Sequence, residues 1–309
     1  MNFIKKSNAT YLLMLNAILW GSSYVLNKLL LQSLPLFTVL FLFSLGGFLS
    51  TAILFRDSIK AINKQTIIRS LPVSGFSIVS NTFCMLSLQR NDSSITAFVV
   101  QTSVIITPLL MALYEKRKPE GKMITNAMIA LAGIFFITVR FEDFQFNFNI
   151  LFSLCNALFF SLYLTGQKVI SDTVEPKQFT IVHYFFNSLV FLGPTLAEYG
   201  IKGYSGVSLS VVPLIIAGLF FAVFTVIIQT GAIVYVKPEK AALLYTLEPV
   251  TALVAAALIA GERPDGIKTL IGCGLILLSM VVSVVSPKTV KPRGKQEEIE
   301  GKMLQKQVF

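Results

Sequence analysis

Apolar runs of about twenty residues, separated by short polar connectors, dominate the chain. They recur at about 11–31, 36–55, 70–88, 93–114, 122–140, 149–170, 179–198, 211–231, 239–260 and 267–286. A helix rises about 1.5 Å per residue, so roughly 20 residues cross a hydrocarbon core about 30 Å thick. The pattern therefore predicts an all-α polytopic membrane protein of ten transmembrane helices. The fourth run is the most interrupted, by Gln101, Thr102 and Pro108, yet Asp92 and Glu115–Lys118 bracket a full crossing. Lys5 and Lys6 precede the first run, as they would in a signal peptide. That run is too long for one and no small-residue cleavage site follows, so it reads as span one. Residues 287–309 are polar and charged and read as a disordered cytosolic tail.

Composition supports this reading. Hydrophobic residues make up 54% of the 309 and charged residues only 14%, against about 25% charged in soluble domains. Cys84, Cys155 and Cys273 each lie inside an apolar run without shared spacing, and His183 is the only histidine. Metal sites and disulfides need clustered ligands, so neither a metal nor a cofactor is expected. The net charge of +10 sits in connectors without interleaved aromatics, which argues for lipid rather than nucleic acid as the partner. With the N-terminus placed in the cytoplasm, twenty Lys and Arg fall on that side. Only Arg90, Arg140, Lys202, Arg263 and Lys268 fall on the other, with Lys28 inside span one. That asymmetry predicts both termini in the cytoplasm.

The two halves echo one another. Asn16-Ala-Ile-Leu-Trp20 aligns with Asn156-Ala-Leu-Phe-Phe160, Lys28 with Lys168, and Pro35 with Pro176. Arg90-Asn-Asp92 aligns with Lys237-Pro-Glu239, Gln101 with Glu248, and Glu115 with Glu262. Five spans per half is an odd number, so the second half enters the membrane inverted, an arrangement suited to alternating access.

The Asn16-Ala-x-x-Trp20 opening of span one, Leu34-Pro35 before span two and Gly261-Glu262-Arg263 after span nine resemble the EamA family of the drug/metabolite transporter superfamily. The resemblance implies two five-helix EamA repeats, at 11–140 and 149–286, in the plasma membrane. It also implies export or uptake of small metabolites. Where that family often carries an Arg in span two, this chain has Phe43, which argues against carrying over an anionic-substrate role.

Polar side chains inside hydrocarbon must face protein or a wet cavity, which makes them site candidates. Glu248 stands foremost, in mid-span nine beside Pro249, whose missing N–H is expected to free carbonyls near the carboxyl. It suits a proton, an amine or a buried structural hydrogen bond. Gln101 is its uncharged counterpart in the first half. Asn16, Trp20 and Tyr24 share one helix face, and Asn156, Phe160 and Tyr163 line up in span six. Two such stripes fit either an amphipathic cavity or ordinary helix packing. Asn81 and Thr82, Gln229 and Thr230 are weaker candidates of the same kind. Tyr245, one turn before Glu248, is placed to cover a cation or to pack in the core. His183 is a second titratable candidate for proton coupling. Lys28 and Lys168 read as interfacial anchors, Asp92 and Glu239 as helix caps. The stripe Ala252, Ala256 and Ala260 permits close helix contact, internal or in a homodimer.

No phosphate-binding loop, catalytic triad or paired acidic motif is present, so the expected protein is not an enzyme. The leading expectation is a secondary exporter of amino acids or related amphipathic metabolites, by alternating access and proton-coupled through Glu248. An uptake system or facilitator for an organic cation is the alternative, and a membrane enzyme acting on lipid-linked substrates is the rival from another class.

Overall fold

The computed structural model describes residues 4–118, 121–138, 149–202, 208–261 and nine residues between 267 and 279. In chain order the helices are α1 (Ala9–Leu31), α2 (Leu36–Leu54), the short α3 (Arg56–Ile59) and α4 (Lys64–Leu88). There follow α5 (Ser93–Val100), α6 (Ser103–Tyr114), α7 (Gly121–Thr138), α8 (Ile150–Ile170) and α9 (Pro176–Lys202). The series ends with α10 (Val212–Ala232), α11 (Pro238–Leu244) and α12 (Leu247–Ile259). No strand occurs among the described residues. Eight helical segments are long and apolar enough to cross a membrane, counting α5–α6 and α11–α12 as one segment each. The apolar stretch of α7, Ile124–Gly133, is shorter. Most of the expected span at 267–286, the tail at 287–309, Glu262 and Arg263 lie outside the described residues.

Local chemistry sets the helix ends. Helix α4 begins six residues earlier than hydropathy predicts because Asn63 caps it. Its Oδ1 accepts from the Thr66 amide at 2.9 Å and the Thr66 hydroxyl at 3.2 Å. The first amides of α2 are satisfied by another helix, since Glu198 of α9 accepts from Phe37 and Thr38 N–H at 3.2 Å each. Asp92 departs from expectation. It occupies the N-cap of α5 without a side-chain cap bond, and its carboxylate pairs with Lys28 at 3.0 Å. Lys28 is thus an ion-pair partner.

Spans four and nine are both broken. Gln101 and Thr102 separate α5 from α6, and Tyr245 and Thr246 separate α11 from α12. Pro249 orphans the Tyr245 carbonyl, which instead accepts the Glu248 amide at 2.9 Å in a tightened turn. The Thr246 hydroxyl in turn bonds back to Leu243 C=O at 2.7 Å.

Helix α1 runs through the centre, packed against α10 and α12, while α2 lies on α9 and α4 on α8. A Cβ at Gly21 would overlap Thr251 Oγ1 and the Glu248 carbonyl oxygen, so this glycine lets α1 and α12 meet backbone to backbone. Ala252 and Ala256 are fully buried, whereas Ala260 is exposed, so the first two serve packing within the chain. Exposed apolar side chains such as Ile53, Leu113, Leu196, Phe220 and Leu258 ring the bundle, a surface matched to acyl chains rather than water. The face where α1 begins is called proximal below, and the face where it ends distal.

Candidate functional site

A cavity of about 150 Å³ lies between α1, α2, α4, α5, α8, α9, α10 and α12. At roughly 10–15 Å³ of such volume per water it holds on the order of ten waters, or a solute of similar atom count. It takes in Trp20 to Asn27 from the distal half of α1, Ser77 to Met85 from the distal half of α4, and Leu40 to Ser44 from the distal half of α2. The chamber is therefore walled by the distal halves of these three helices, while His183, Tyr184 and Asn187 enter it from the proximal half of α9.

Eight residues singled out from the sequence meet here: Trp20, Tyr24, Asn81, Asn156, Phe160, Tyr163, His183 and Glu248. Helix periodicity aligned each stripe, and packing of α1 against α12 and of α4 against α8 brings the stripes to one chamber. Glu248 is 2% exposed. Its Oε2 accepts from Tyr24 OH at 3.4 Å, and Oε1 has no partner. Gln101, at the break in span four, is fully buried close to that carboxyl, and neither of its amide atoms makes a hydrogen bond of ordinary geometry. Trp20 Nε1 donates to Thr225 Oγ1 at 2.8 Å, which fixes the indole. The imidazole of His183 lies 5.2–5.5 Å from the rings of Tyr163, Phe179 and Tyr184. It also meets Asn187 Nδ2 at 3.3 Å.

Asn16, Gln229 and Tyr245 lie behind the cavity rather than along it. Tyr245 is fully buried, its ring tilted against Trp20 at 5.2 Å and 5.9 Å from Phe160. Its hydroxyl accepts from Asn16 Nδ2 at 3.1 Å and donates to Gln229 Oε1 at 3.3 Å. Gln229 donates to Gln167 at 2.6 Å, and Gln167 donates to Tyr163 OH and Thr230 Oγ1 at 3.0 Å each. This polar chain joins α1, α8, α10 and α11 on the proximal side of the three rings, closing the cavity there. Asn81 donates to Ser77 at 3.2 Å and Thr82 to Ile78 C=O at 2.8 Å.

Sequence reading passed over Asn27, Gln167 and Asn187, although the rule that found Asn81 covers them. Each stands three or four residues from a chosen neighbour, namely Tyr24, Tyr163 and His183. Among the described residues no cluster of His, Cys, Asp and Glu is arranged to hold a metal.

Two stretches of the chain, residues 8–139 and 147–285, match the EamA-like transporter family. The chain belongs to that family. It is similar to an "Uncharacterized transporter" of Archaeoglobus fulgidus, 22% identical over 280 residues, covering 90% of this chain and 86% of that one. A second relative, an "Uncharacterized transporter" of Clostridium kluyveri, is 24% identical over 293 residues, covering 89% and 93%. A solved structure titled "Crystal structure of protein" shares the fold at TM-score 0.70 and 14% identity, over 94% of this chain and 100% of that one. The EamA protein is thus a multi-pass membrane transporter, and its relatives are transporters rather than enzymes.

Proposed function

We propose that this EamA protein is a secondary exporter of small amphipathic metabolites, working by alternating access and coupled to protons through Glu248. The carrying observation is the polar chamber at the buried carboxyl, walled by the distal halves of α1, α2 and α4, with a hydrogen-bonded network of Tyr245, Gln229 and Gln167 on its proximal side. Helix pairing supports two inverted halves. Packing of α1 on α10 is matched by α8 on α4, and α1 on α12 by α8 on α5 and α6. The α2–α9 contact joins the two second spans. With both termini cytoplasmic in the plasma membrane, the chamber faces outward. A carboxyl that carries either a proton or cargo makes their movements opposed, and an inward proton gradient then drives export.

The test needs no known substrate. Cysteines are introduced singly at Asn27, in the distal wall, and at Ile233, buried on the proximal side, in a background freed of the native cysteines. In the chain as described, Asn27→Cys reacts quickly with a small thiol reagent and Ile233→Cys slowly. Gln229→Leu removes two bonds of the proximal closure, each worth about 0.6 kcal/mol and at most about 1.7 within a membrane. It is expected to speed labelling at Ile233→Cys and slow it at Asn27→Cys. Reciprocal change supports two exchanging states. Simultaneous reactivity at both positions means a channel, and no change means a static closure; either result defeats the proposal.

A further inference from the structure

We infer that the cargo of this chamber is an organic amine without a carboxylate, a monocation carrying a flat apolar group, rather than an amino acid. The inference rests on the transporter reading and deepens it. Among the described lining residues the only carboxyl is Glu248 and none is Lys or Arg. Three helices bring acceptors to the lining that make no hydrogen bond of ordinary geometry: Glu248 Oε1, Asn27 Oδ1 and Asn187 Oδ1, all buried. A buried acceptor left unmade is costly, so the ligand that completes this site brings several N–H donors. An ammonium group has three donors and a positive charge to set against the carboxylate.

The aromatic rings of Trp20, Tyr24, Phe43, Phe160, Tyr163 and Tyr184 make up much of the remaining wall. They offer faces for a cation and for a flat ring. A carboxylate on the same solute has no cationic partner. Lys28, one turn beyond Tyr24, is paired with Asp92. Lys168 donates to Val234 C=O at 2.7 Å on the proximal side. His183 is the one base in the lining, held against three rings and Asn187, with only Nδ1 unengaged. Burying a carboxylate without a paired charge is strongly unfavourable, so the wall discriminates against amino acids while accepting their decarboxylated forms.

The experiment compares molecules that differ only by that group. Full-length protein in proteoliposomes is assayed for counterflow of labelled tryptamine against tryptophan and tyramine against tyrosine, with thermal melting of the detergent-solubilised chain beside each solute. Both amines are expected to exchange saturably and raise the melting temperature, and both amino acids to do neither. Glu248→Gln is expected to lower amine exchange roughly tenfold or more, the loss of a hydrogen-bonded charge. The wild-type comparison stands alone, so a misfolded variant leaves it intact.

Amino acids exchanging as well as the amines would overturn the inference, especially if His183→Gln abolished their exchange and so marked a carboxylate subsite. Amine exchange untouched in a folded Glu248→Gln variant, or no amine exchange at all, would overturn it too. Reciprocal labelling of Asn27→Cys and Ile233→Cys separates the two ideas. If reciprocity holds while amines fail, the substrate class is wrong and the transporter reading survives; if reciprocity fails, the transporter reading falls with it.

Discussion

Gly21 shows how a single position without a side chain shapes the site. Its contact with Thr251 and the Glu248 carbonyl allows α1 to present Trp20 and Tyr24 beside the carboxyl. One of the obstructing atoms belongs to the backbone, so a larger residue cannot be accommodated by a rotamer change alone. Gly21→Ala is expected to destabilise by about 1–3 kcal/mol, the range for overpacking. Gly193 has open space around its missing Cβ. Gly193→Ala is therefore expected to be neutral or stabilising by up to about 1 kcal/mol, since alanine favours a helix interior. Thermal melting of the two variants checks both signs. Equal effects would remove the argument for a close α1–α12 contact. Trp20, Tyr24 and Glu248 were legible from sequence because a polar or aromatic stripe in an apolar span demands an explanation. The role of Gly21 was not, because it depends on a crossing point between segments more than two hundred residues apart.

Among the elements, the two broken spans are anchored by ion pairs of very different burial. Arg117, after α6, pairs with Glu115 and with Glu239 at the start of α11. The Glu239 side chain is 1% exposed, whereas Lys28 and Asp92 are 26% and 52% exposed. Removing one partner of a buried pair leaves a stranded charge and costs about 3–5 kcal/mol. A solvated pair is worth about 0–1 kcal/mol. Arg117→Ala is therefore expected to destabilise far more than Lys28→Ala, and Glu239→Gln in the Arg117→Ala background to recover much of the loss. Melting temperatures of the three variants decide it; equal losses for the two single variants would show that burial does not set the order. Hydropathy located the broken spans as single crossings. The break before Glu248 was not visible, because Tyr245 and Thr246 carry no turn signature and their tightened turn is paired by backbone groups.

At the scale of the whole molecule, the apolar runs made an all-helical, multi-pass membrane protein readable, whereas the chamber's outline was not. Its walls depend on the relative rotation and height of eight helices, set by contacts such as Phe43 on Gly218 and Val73 on Gly166, which no periodicity reports. Orientation is different, because it follows from charge alone. Twenty Lys and Arg on one side against five on the other predict that the distal face is outward, since basic residues resist translocation in short connectors. In a chain with its native cysteines replaced, a membrane-impermeant maleimide added to intact cells is expected to label Ser208→Cys. This position is exposed on the distal face before α10. Ala61→Cys, exposed on the proximal face between α3 and α4, is expected to label only after permeabilisation. The opposite pattern would turn the chamber toward the cytoplasm. Glu248 would then take its proton from the cytoplasmic side in the conformation described, and the closure formed by Gln167, Gln229 and Tyr245 would be the outer one. Sidedness thus decides which gate must open for cargo to enter, and the charged connectors, rather than the residues of the cavity, set it.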